Sequence, residues 1–565
     1  MSRKITALLI AALLLVPLLS VSAQEYAPLE PMAEPITLRV VHSYSLSSLA
    51  GVGEGITPEN GLWNDNVLED LNIRFEWMWT VDTEQWEKKF QLSIASGDIP
   101  DLLRLNEVHF RQFVEMGALR DLTNAYKTYS LKEMLAMDDA AGNRPTRQAT
   151  VDGALLGVPL FDDNHSTMYL LMYRKDWADA LGIEAPKTIY DVMDMCVRFG
   201  TEDPNQDGAA NTDGLAMQGD PFAGAFGSLA FFQSFGGYPQ FWVADESGEI
   251  VPGVLMDGTY EGLKALRELY EKGGIATDFA TLSGDNLNED VISSQVGVFF
   301  GMWWNPAYPG PQNMDYDEKA EWTVMPLPGL TEGTYGKSVC NENMVTYYNC
   351  VYEKAPERAD EALVKLLNYH YVHIAPVDDA IWPQKEVTDD PEVLEMRQEQ
   401  SKAEQLAGKV WNWLPVQTWP SGINVQQAYN AYNAWHENDL SYLRSSTDKD
   451  WYDKTVAHHS QDTSRWTRGT TAGMWLSRTS PDGGIMTTVR MRNEGHVVYN
   501  VYYGPATESE QQFKSTLKSM AQEYFVNFIM GNVAVDSWDA FKNDWLAQGG
   551  QDWWDEVKVS YAALH

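Results

Sequence analysis

Cysteine is scarce in this chain, which has three in 565 residues: Cys196, Cys340 and Cys350. Three thiols cannot build the disulfide framework of a small secreted domain, and no pair has the CxxC spacing of a zinc or redox motif. We expect buried thiols rather than a Cys340–Cys350 bridge, because the extended run between the two is longer than a disulfide can span. A large apolar core must stabilise the fold instead.

Basic residues are also few, since 41 lysines and arginines stand against 80 acids, a formal net charge of −39. A field of this sign repels phosphate backbones and anionic lipid. The charge balance therefore disfavours nucleic acids and membrane surfaces as partners.

Long apolar runs are absent beyond the N-terminus. There, residues 5–19 are apolar, follow Arg3 and Lys4, and precede a small-residue cleavage pattern that closes at Ala23. This pattern predicts a secretory signal peptide over residues 1–23. The run is shorter than the ~20 residues of a bilayer span, so we expect no membrane insertion. Because no cysteine follows the predicted cleavage site, we expect no acyl anchor. We also expect a periplasmic protein and a monomer.

Catalytic signatures are missing as well: the chain has no GxSxG, P-loop, GxGxxG or HExxH motif. Asp162-Asp163 could supply the acid and base of a glycosidase, but adjacent acids are expected by chance in so acidic a chain. The pairs His370/His373 and His458/His459 have no cysteine nearby and lack metal-ligand spacing. The sequence therefore predicts no enzyme.

Alternating strand and helix patterns run along the chain. Residues 36–41 and 73–81 predict strands, the second with apolar and polar side chains at period two, and 101–105 predicts a third after a helix. The pattern resumes after residue 150, with a helix capped at Thr188 and a strand at 296–300. These units predict an α/β fold with at least two sheets.

A calcium loop is indicated at residues 203–214, DPNQDGAANTDG. Side-chain oxygens occupy positions 1, 3, 5 and 9, glycine occupies position 6, and position 7 can offer its carbonyl, as Ca²⁺ requires. Gly214 stands where a bidentate acid is usual, so position 11 or an outside carboxylate would complete the shell. The alternative is a polar turn without metal. The predicted ligands of this structural calcium are Asp203, Asn205, Asp207, Ala209, Asn211 and Asp213.

Aromatic residues are abundant, with 21 Trp and 27 Tyr, and two adjacent indoles stand out. Trp303 and Trp304 follow a predicted strand directly and are cut off by Pro306. Because neighbours on an extended chain point to opposite faces, one indole can enter the core while the other faces a cleft. A flat indole packs on the apolar face of a pyranose, although both could also be core residues.

An ordered set of motifs resembles family 1 extracellular solute-binding proteins of ABC importers, the group that contains maltose-binding protein. The set is spread over nearly the whole chain after the signal peptide. The length and the Asp/Asn loop are most similar to the large subgroup of LplA-type lipoproteins and alginate-oligosaccharide-binding proteins. The motifs are ASGDIPD (95–101), GALRDLT (117–123), DG to GVP (152–159), YRKDW (173–177), EYF (523–525) and IMG (529–531).

This resemblance implies a two-lobe, type II-like binding fold. Each lobe would be a mostly parallel sheet flanked by helices, with crossing hinge segments between the lobes. The N-terminal lobe would comprise residues 24–160 plus 325–390, and the C-terminal lobe 161–324 plus 391–565. The lobes would close on a ligand by hinge motion.

The resemblance also implies a function: capture of an oligosaccharide between the lobes and delivery to the permease subunits of an ABC importer. A secreted glycoside hydrolase or lyase, and a receptor for a non-sugar solute such as a peptide, are the alternatives. The candidate ligand contacts are Asn106, Glu107, Asp162, Asp163, Asn164, Phe222, Trp303, Trp304, Trp413 and Trp475.

Overall fold

The computed structural model describes residues 26–44, 49, 51–141, 143–161, 168–245, 247–341, 345–375, 377, 381, 391–410, 412–502 and 507–564. The predicted signal peptide over 1–23 and the candidate contacts Asp162, Asp163 and Asn164 lie outside the described residues. Within those residues, no helix has both the length and the apolar content needed to cross a membrane.

The described strands and helices alternate for the first two thirds of the chain, after which helices dominate. The strands are β1 (Ile36–Tyr44), β2 (Ile73–Asp82), β3 (Leu102–Leu105), β4 (Thr150–Val151), β5 (Ala154–Leu155), β6 (Val158–Phe161), β7 (Tyr169–Arg174), β8 (Asp213–Leu215), β9 (Trp242–Ala244), β10 (Ile250–Pro252), β11 (Val296–Met302), β12 (Trp322–Pro326), β13 (Ser338–Asn341), β14 (Val345–Val351) and β15 (Val497–Asn500). The helices are α1 (Trp63–Leu71), α2 (Trp86–Ser96), α3 (Glu107–Glu115), α4 (Thr123–Tyr129), α5 (Lys132–Ala140), α6 (Arg144–Gln148), α7 (Lys175–Leu181), α8 (Ile189–Thr201), α9 (Leu229–Ser234), α10 (Asp257–Glu271), α11 (Gly284–Ile292), α12 (Gly310–Tyr316), α13 (Ala359–Ile374), α14 (Pro391–Leu406), α15 (Ile423–His436), α16 (Ser446–Ser460), α17 (Arg468–Met474), α18 (Gly484–Asn493), α19 (Glu508–Ile529), α20 (Trp538–Trp545) and α21 (Gln551–Leu564).

The first unit is built on two sheets that lie side by side. β1 pairs with β2 in parallel, and β14 runs antiparallel between β3 and β6. The two sheets meet where the Asp101 N–H donates to the Arg39 carbonyl at 2.9 Å. Helix α13 is buried along nearly its whole length. It packs into one core with α1, α3 and the strands.

The second unit is a sheet of order β12-β7-β11-β8 with helices on both faces. All six residues of β7 are buried, and its side chains alternate between two cores. Leu171 and Tyr173 pack into the core that contains α8, α10 and α19. Leu170 and Met172 pack into the other, with α15 and α18. A strand covered on both faces reads as a continuous apolar run, which explains the sequence of β7.

The α/β class is confirmed, and the sheets are mixed, because each main sheet contains one strand that runs against its neighbours. In the first unit β14 opposes both of its neighbours, and in the second β7 opposes β11 and β12, so that the β8–β11 pair is parallel within an otherwise antiparallel sheet. The physical reason is the connectivity, since β7 and β14 each enter their sheet from the other unit. Such a strand is not a βαβ crossover and is free to run in the opposite direction.

The packing also differs from the division of the chain expected at residues 324/325 and 390/391. β12 crosses the first of these positions and pairs with β7 along its whole length. Val339 packs with Tyr238 and Val243 of the second unit. Beyond the second position, Trp413 packs in the core of the first unit. Residues 325–326 thus belong to the second sheet and Trp413 to the first core, and the exact lobe boundaries stay a prediction.

Candidate binding cleft

Three strands of the first unit point their carboxyl ends at the second unit. β3 and β6 run in the same direction, because both are antiparallel to β14, and the tip of β1 lies beside β3. The chain leaves β6 at Phe161 and enters the second sheet at Tyr169. The carboxyl ends of these strands therefore lie at the edge where the units are connected, which is where open α/β sheets usually bind ligands.

A polar pocket of about 120 Å³ lies at this edge. Strand ends and the start of α2 supply its walls, so its shape is set by regular structure rather than by loops alone. Its lining includes Ser43, Thr83, Trp86, Arg104, Asn106 and Tyr347. Hydroxyl, amide, guanidinium and indole groups thus converge on one small volume.

The two candidate contacts of the first unit have different roles. Asn106 is exposed at the pocket and caps α3, since its Oδ1 accepts a hydrogen bond from the His109 N–H at 2.9 Å. Glu107 is engaged within the unit: its carboxylate accepts from Arg111 Nε at 2.7 Å and from the Tyr348 hydroxyl. Asn106 is therefore placed to contact a ligand, whereas Glu107 anchors α3 to β14.

The corresponding edge of the second unit carries the adjacent indoles. β11 ends at Met302, which pairs with Tyr169 at the start of β7. Trp303 and Trp304 follow at once, in a turn that Asn305 closes by accepting from the Met302 N–H at 2.7 Å. Trp303 is 7 % exposed and Trp304 is 40 % exposed. The alternation predicted for the two indoles is thus present, and Trp304 is the exposed one.

Trp303 contributes to this edge from beneath. The guanidinium of Arg478 lies 5.3 Å from the centre of its ring and equally far from that of Trp451. Burial lowers the pKa of Arg478. The Arg478 guanidinium therefore packs against the indoles of Trp303 and Trp451 beneath the exposed turn.

Two other predicted contacts belong to the cores, and the expectation for them is revised. Trp413 is 1 % exposed and lies 6.3 Å from the ring of Tyr44. Phe222 is 6 % exposed, with its ring edge-on to Phe525 at 5.2 Å. Both rings are buried, and buried aromatic rings contribute a large apolar area to a protein core.

Trp475 directly follows α17 and lies in a cluster of rings. It packs among His458, His459 and Trp435, with ring centres 4.4–5.9 Å away. It also lines a separate cavity of about 600 Å³, whose wall includes Trp322. The helical segment Trp475–Thr479 packs against the turn Asn305–Ala307 that follows Trp304.

The predicted calcium loop joins α8 to β8. The Asp203 carboxylate accepts from the N–H groups of Asp207 and Gly208 at 3.1 and 3.0 Å, and Asn211 donates to Asp207 at 3.0 Å. Within the described ranges, no three His, Cys, Asp or Glu side chains are grouped as a metal site. Hydrogen bonds from Asn205 and Asn211 to the Asp207 carboxylate link three of the predicted donors directly.

Backbone packing explains why position 12 of this loop is not an acid. A Cβ on Gly214 would lie 2.0 Å from the carbonyl oxygen of Cys196 in α8, so no side chain fits there. At position 11, burial, reinforced by the carboxylates of Asp290 and Asp278, raises the pKa of Asp213 to about 6. Negative charge is thus in excess beside the loop, which is an environment that a bound cation would relieve.

Sequence reasoning missed Arg104, Trp86 and Tyr347. A signal for the first was present, because a charged residue interrupts the apolar strand Leu102–Leu105 and lies two residues before the predicted contact Asn106. Trp86 begins α2, and Tyr347 lies on a strand whose neighbours the sequence does not reveal.

Two α/β units, joined at facing edges that carry a polar pocket and an exposed indole, define a two-lobe ligand-binding protein. The chain belongs to the bacterial extracellular solute-binding protein family, whose sequence profile matches residues 69–369. The family resemblance seen in the sequence is thereby confirmed.

Similar proteins fall in the same class. The polygalacturonan/rhamnogalacturonan-binding protein YtcQ of Bacillus subtilis is 23% identical over 41% of this chain and 44% of its own length. The aligned regions span about half the length of the curated relatives that the chain matches.

Solved structures with this fold cover nearly the whole chain. An HMO-binding solute-binding protein from Bifidobacterium longum infantis has a TM-score of 0.62 at 17% identity, covering 94% of this chain and 99% of its own. An EF-hand mutant of Streptococcus pneumoniae FusA, in complex with fructo-nystose, has a TM-score of 0.54 at 16% identity, with the same coverage. These similarities establish the two-lobe fold.

Proposed function

We propose that this protein captures an oligosaccharide in the cleft between its units and delivers it to an ABC importer. The observation that carries the proposal is the exposed indole of Trp304 at the end of β11, together with the polar pocket around Asn106 at the end of β3. An indole offers a flat apolar surface to a sugar ring, while hydroxyl and amide groups such as those of the pocket can bind its hydroxyls. The oligosaccharide-binding relatives support this class of ligand.

A screen of neutral and acidic oligosaccharides, with peptides as the competing class, tests this function. A ligand that binds only the folded state raises the melting temperature by mass action. We expect stabilisation by oligosaccharides without release of products. Stabilisation by peptides alone would reject an oligosaccharide receptor and favour a peptide receptor. Turnover of a sugar would reject it in favour of a glycoside hydrolase.

Trp304→Ala is expected to weaken oligosaccharide binding about tenfold, because a stacked aromatic contributes on the order of 1.5 kcal/mol beyond simple burial. Isothermal titration calorimetry measures the change. The matched control is Tyr316→Ala, which removes an exposed ring of the same unit at the end of α12. Equal affinities for Trp304→Ala and the unmodified protein would contradict the role of the indole.

We also propose that the loop at residues 203–214 binds a structural calcium ion. Its donors are hard oxygens, which suits Ca²⁺, and the excess charge around Asp213 supports a cation nearby. The FusA variant described above is named for an EF-hand, which makes a loop of this type plausible in the same fold. The ion would hold the loop between α8 and β8 and take no part in ligand chemistry.

Calcium should stabilise the protein by about 3 kcal/mol at a hundredfold excess over its dissociation constant. Thermal unfolding in CaCl₂ and in EDTA measures this shift, which we expect Asp207→Asn to abolish. Asp245→Asn is the control, because Asp245 accepts similar backbone hydrogen bonds, at 2.8 and 3.0 Å, in a turn outside the loop. A calcium shift that survives Asp207→Asn, or that both variants lose, would place the ion elsewhere.

The family is extracellular. Within it, we propose a periplasmic, monomeric receptor whose closed form is read by a permease. Fractionation of producing cells, together with sizing of the purified protein, tests both statements.

A further inference from the structure

Arg104 is set into the floor of the pocket at the first unit's edge. It is the third residue of β3, and its guanidinium carbon lies 4.8 Å from the centre of the Tyr347 ring. His42, which lines the same pocket, is buried and has a pKa lowered to about 3, by desolvation first and by Arg104 second. Arg104 is therefore the positive charge of the pocket, beside an imidazole that stays neutral.

In the described part of the chain, no carboxylate forms an ion pair with Arg104. Burial lowers its pKa, and among the described residues an opposing contribution comes from Tyr347. The contrast with Arg174 is direct, because that buried guanidinium is paired with Asp176 at 2.7 Å and Asp317 at 2.9 Å. In a chain with about two acids per base, a deeply set arginine without an acid is an exception.

A cation that no carboxylate of the described residues pairs with, in a partly desolvated pocket, has lost water without gaining a charged partner among them, so an anion that enters is favoured. Guanidinium groups suit planar carboxylates, which they bind through two parallel hydrogen bonds. The other groups at the pocket, the hydroxyls of Ser43 and Thr83 and the amide of Asn106, suit sugar hydroxyls. Its volume of about 120 Å³ is below the 300–1,000 Å³ of whole-ligand sites, so it fits one end of a longer molecule.

We infer that Arg104 binds the carboxylate of an acidic sugar residue, so that the preferred ligands are oligosaccharides that carry uronate groups. This inference rests on the proposed function and specifies its ligand. The strong negative charge of the protein repels such a ligand at long range, so a local cation is needed to hold it. Salt screens the long-range repulsion between the protein and the ligand more than it weakens the desolvated pair.

The test compares an oligogalacturonate with its methyl ester, in which each charged carboxylate is replaced by a neutral ester group. Calorimetry on the unmodified protein should show ten- to hundredfold tighter binding of the free acid, the range for a charge-assisted pair. Arg104→Gln should remove this preference while keeping the affinity for the ester within a few-fold. Arg104→Lys should retain part of it. Arg490→Gln, which removes a surface arginine paired with Asp482, is the control and should keep the full preference.

Thermal unfolding of each variant shows whether the fold is retained, and Arg104→Lys keeps the test valid if Arg104→Gln does not fold. Equal affinity of the unmodified protein for acid and ester, or an Arg104→Gln variant that still prefers the acid, would overturn the inference and leave the proposed function standing. Binding of inorganic phosphate or acidic peptides with no binding of either sugar would overturn both.

Discussion

Arg174→Met is expected to lower the free energy of unfolding by about 3–5 kcal/mol, the cost of removing one partner from a buried ion pair. Arg174 is fully buried and donates to Asp176 and Asp317, and to the Ser294 hydroxyl at 3.0 Å. Burial alone would raise the pKa of Asp317, but the backbone N–H of Lys319 and the charge of Arg174 outweigh it and lower that pKa. Without the guanidinium, two carboxylates are left together with no cation.

Urea unfolding at pH 7.5 measures this loss. Lys175→Met is the matched control, because it removes the next cation along the chain from an exposed pair with Asp179 at 2.6 Å. An exposed pair contributes less than about 1 kcal/mol, so the control should be nearly neutral. A loss for Arg174→Met no larger than that of the control would show that the pair is dispensable.

Acidification is expected to destabilise the protein through buried histidines, and His42→Gln should reduce this effect. Desolvation, together with Arg104, lowers the pKa of His42 to about 3, and desolvation also lowers that of His373 to about 4. Between pH 6.5 and the folded-state pKa, the unfolded chain takes up a proton that the folded protein does not. The contribution of each histidine to the free energy of unfolding is therefore fully present above pH 6.5. It falls by about 1.4 kcal/mol per pH unit below that value.

Between pH 6.5 and 5, His42 alone should account for about 2 kcal/mol of this loss. The measurement is urea unfolding of the unmodified protein and His42→Gln from pH 7.5 to 5, with their difference taken at each pH so that other titrating groups cancel. The difference at pH 7.5 reports packing alone and serves as the internal control. A difference that stays constant over the whole range would contradict a buried neutral imidazole.

Local patterns predicted the elements of this fold better than their arrangement. The alternation at 73–81 matches β2, and the predicted cap at Thr188 is present, where its hydroxyl accepts from the Asp191 N–H at 3.2 Å. Both depend on a few neighbouring residues. The place of β14 between β3 and β6 depends on partners that are distant in the chain, and nothing in the strand itself encodes its direction.

In the candidate site too, features that depend on neighbouring residues were predicted better than those that depend on distant ones. The contrast between Trp303 and Trp304 followed from strand alternation, and Asn106 from its position after a strand. Trp413 could not be placed, because its partners in the first core come from the other end of the chain. The importance of Arg104 was hidden for a further reason: what distinguishes it is that no carboxylate of the described residues pairs with it, which only the folded arrangement reveals.

The insertion of β14 has a consequence for how the chain acquires its structure. The four strands of the second sheet lie within residues 169–326, so that sheet can assemble from one continuous stretch. The sheet β3-β14-β6 must instead wait for residues 345–351, and β14 must close a loop of more than two hundred residues against β3. Closing so long a loop is slow. We therefore expect the order of folding to run against the order of the sequence, with the N-terminal unit the last to become native.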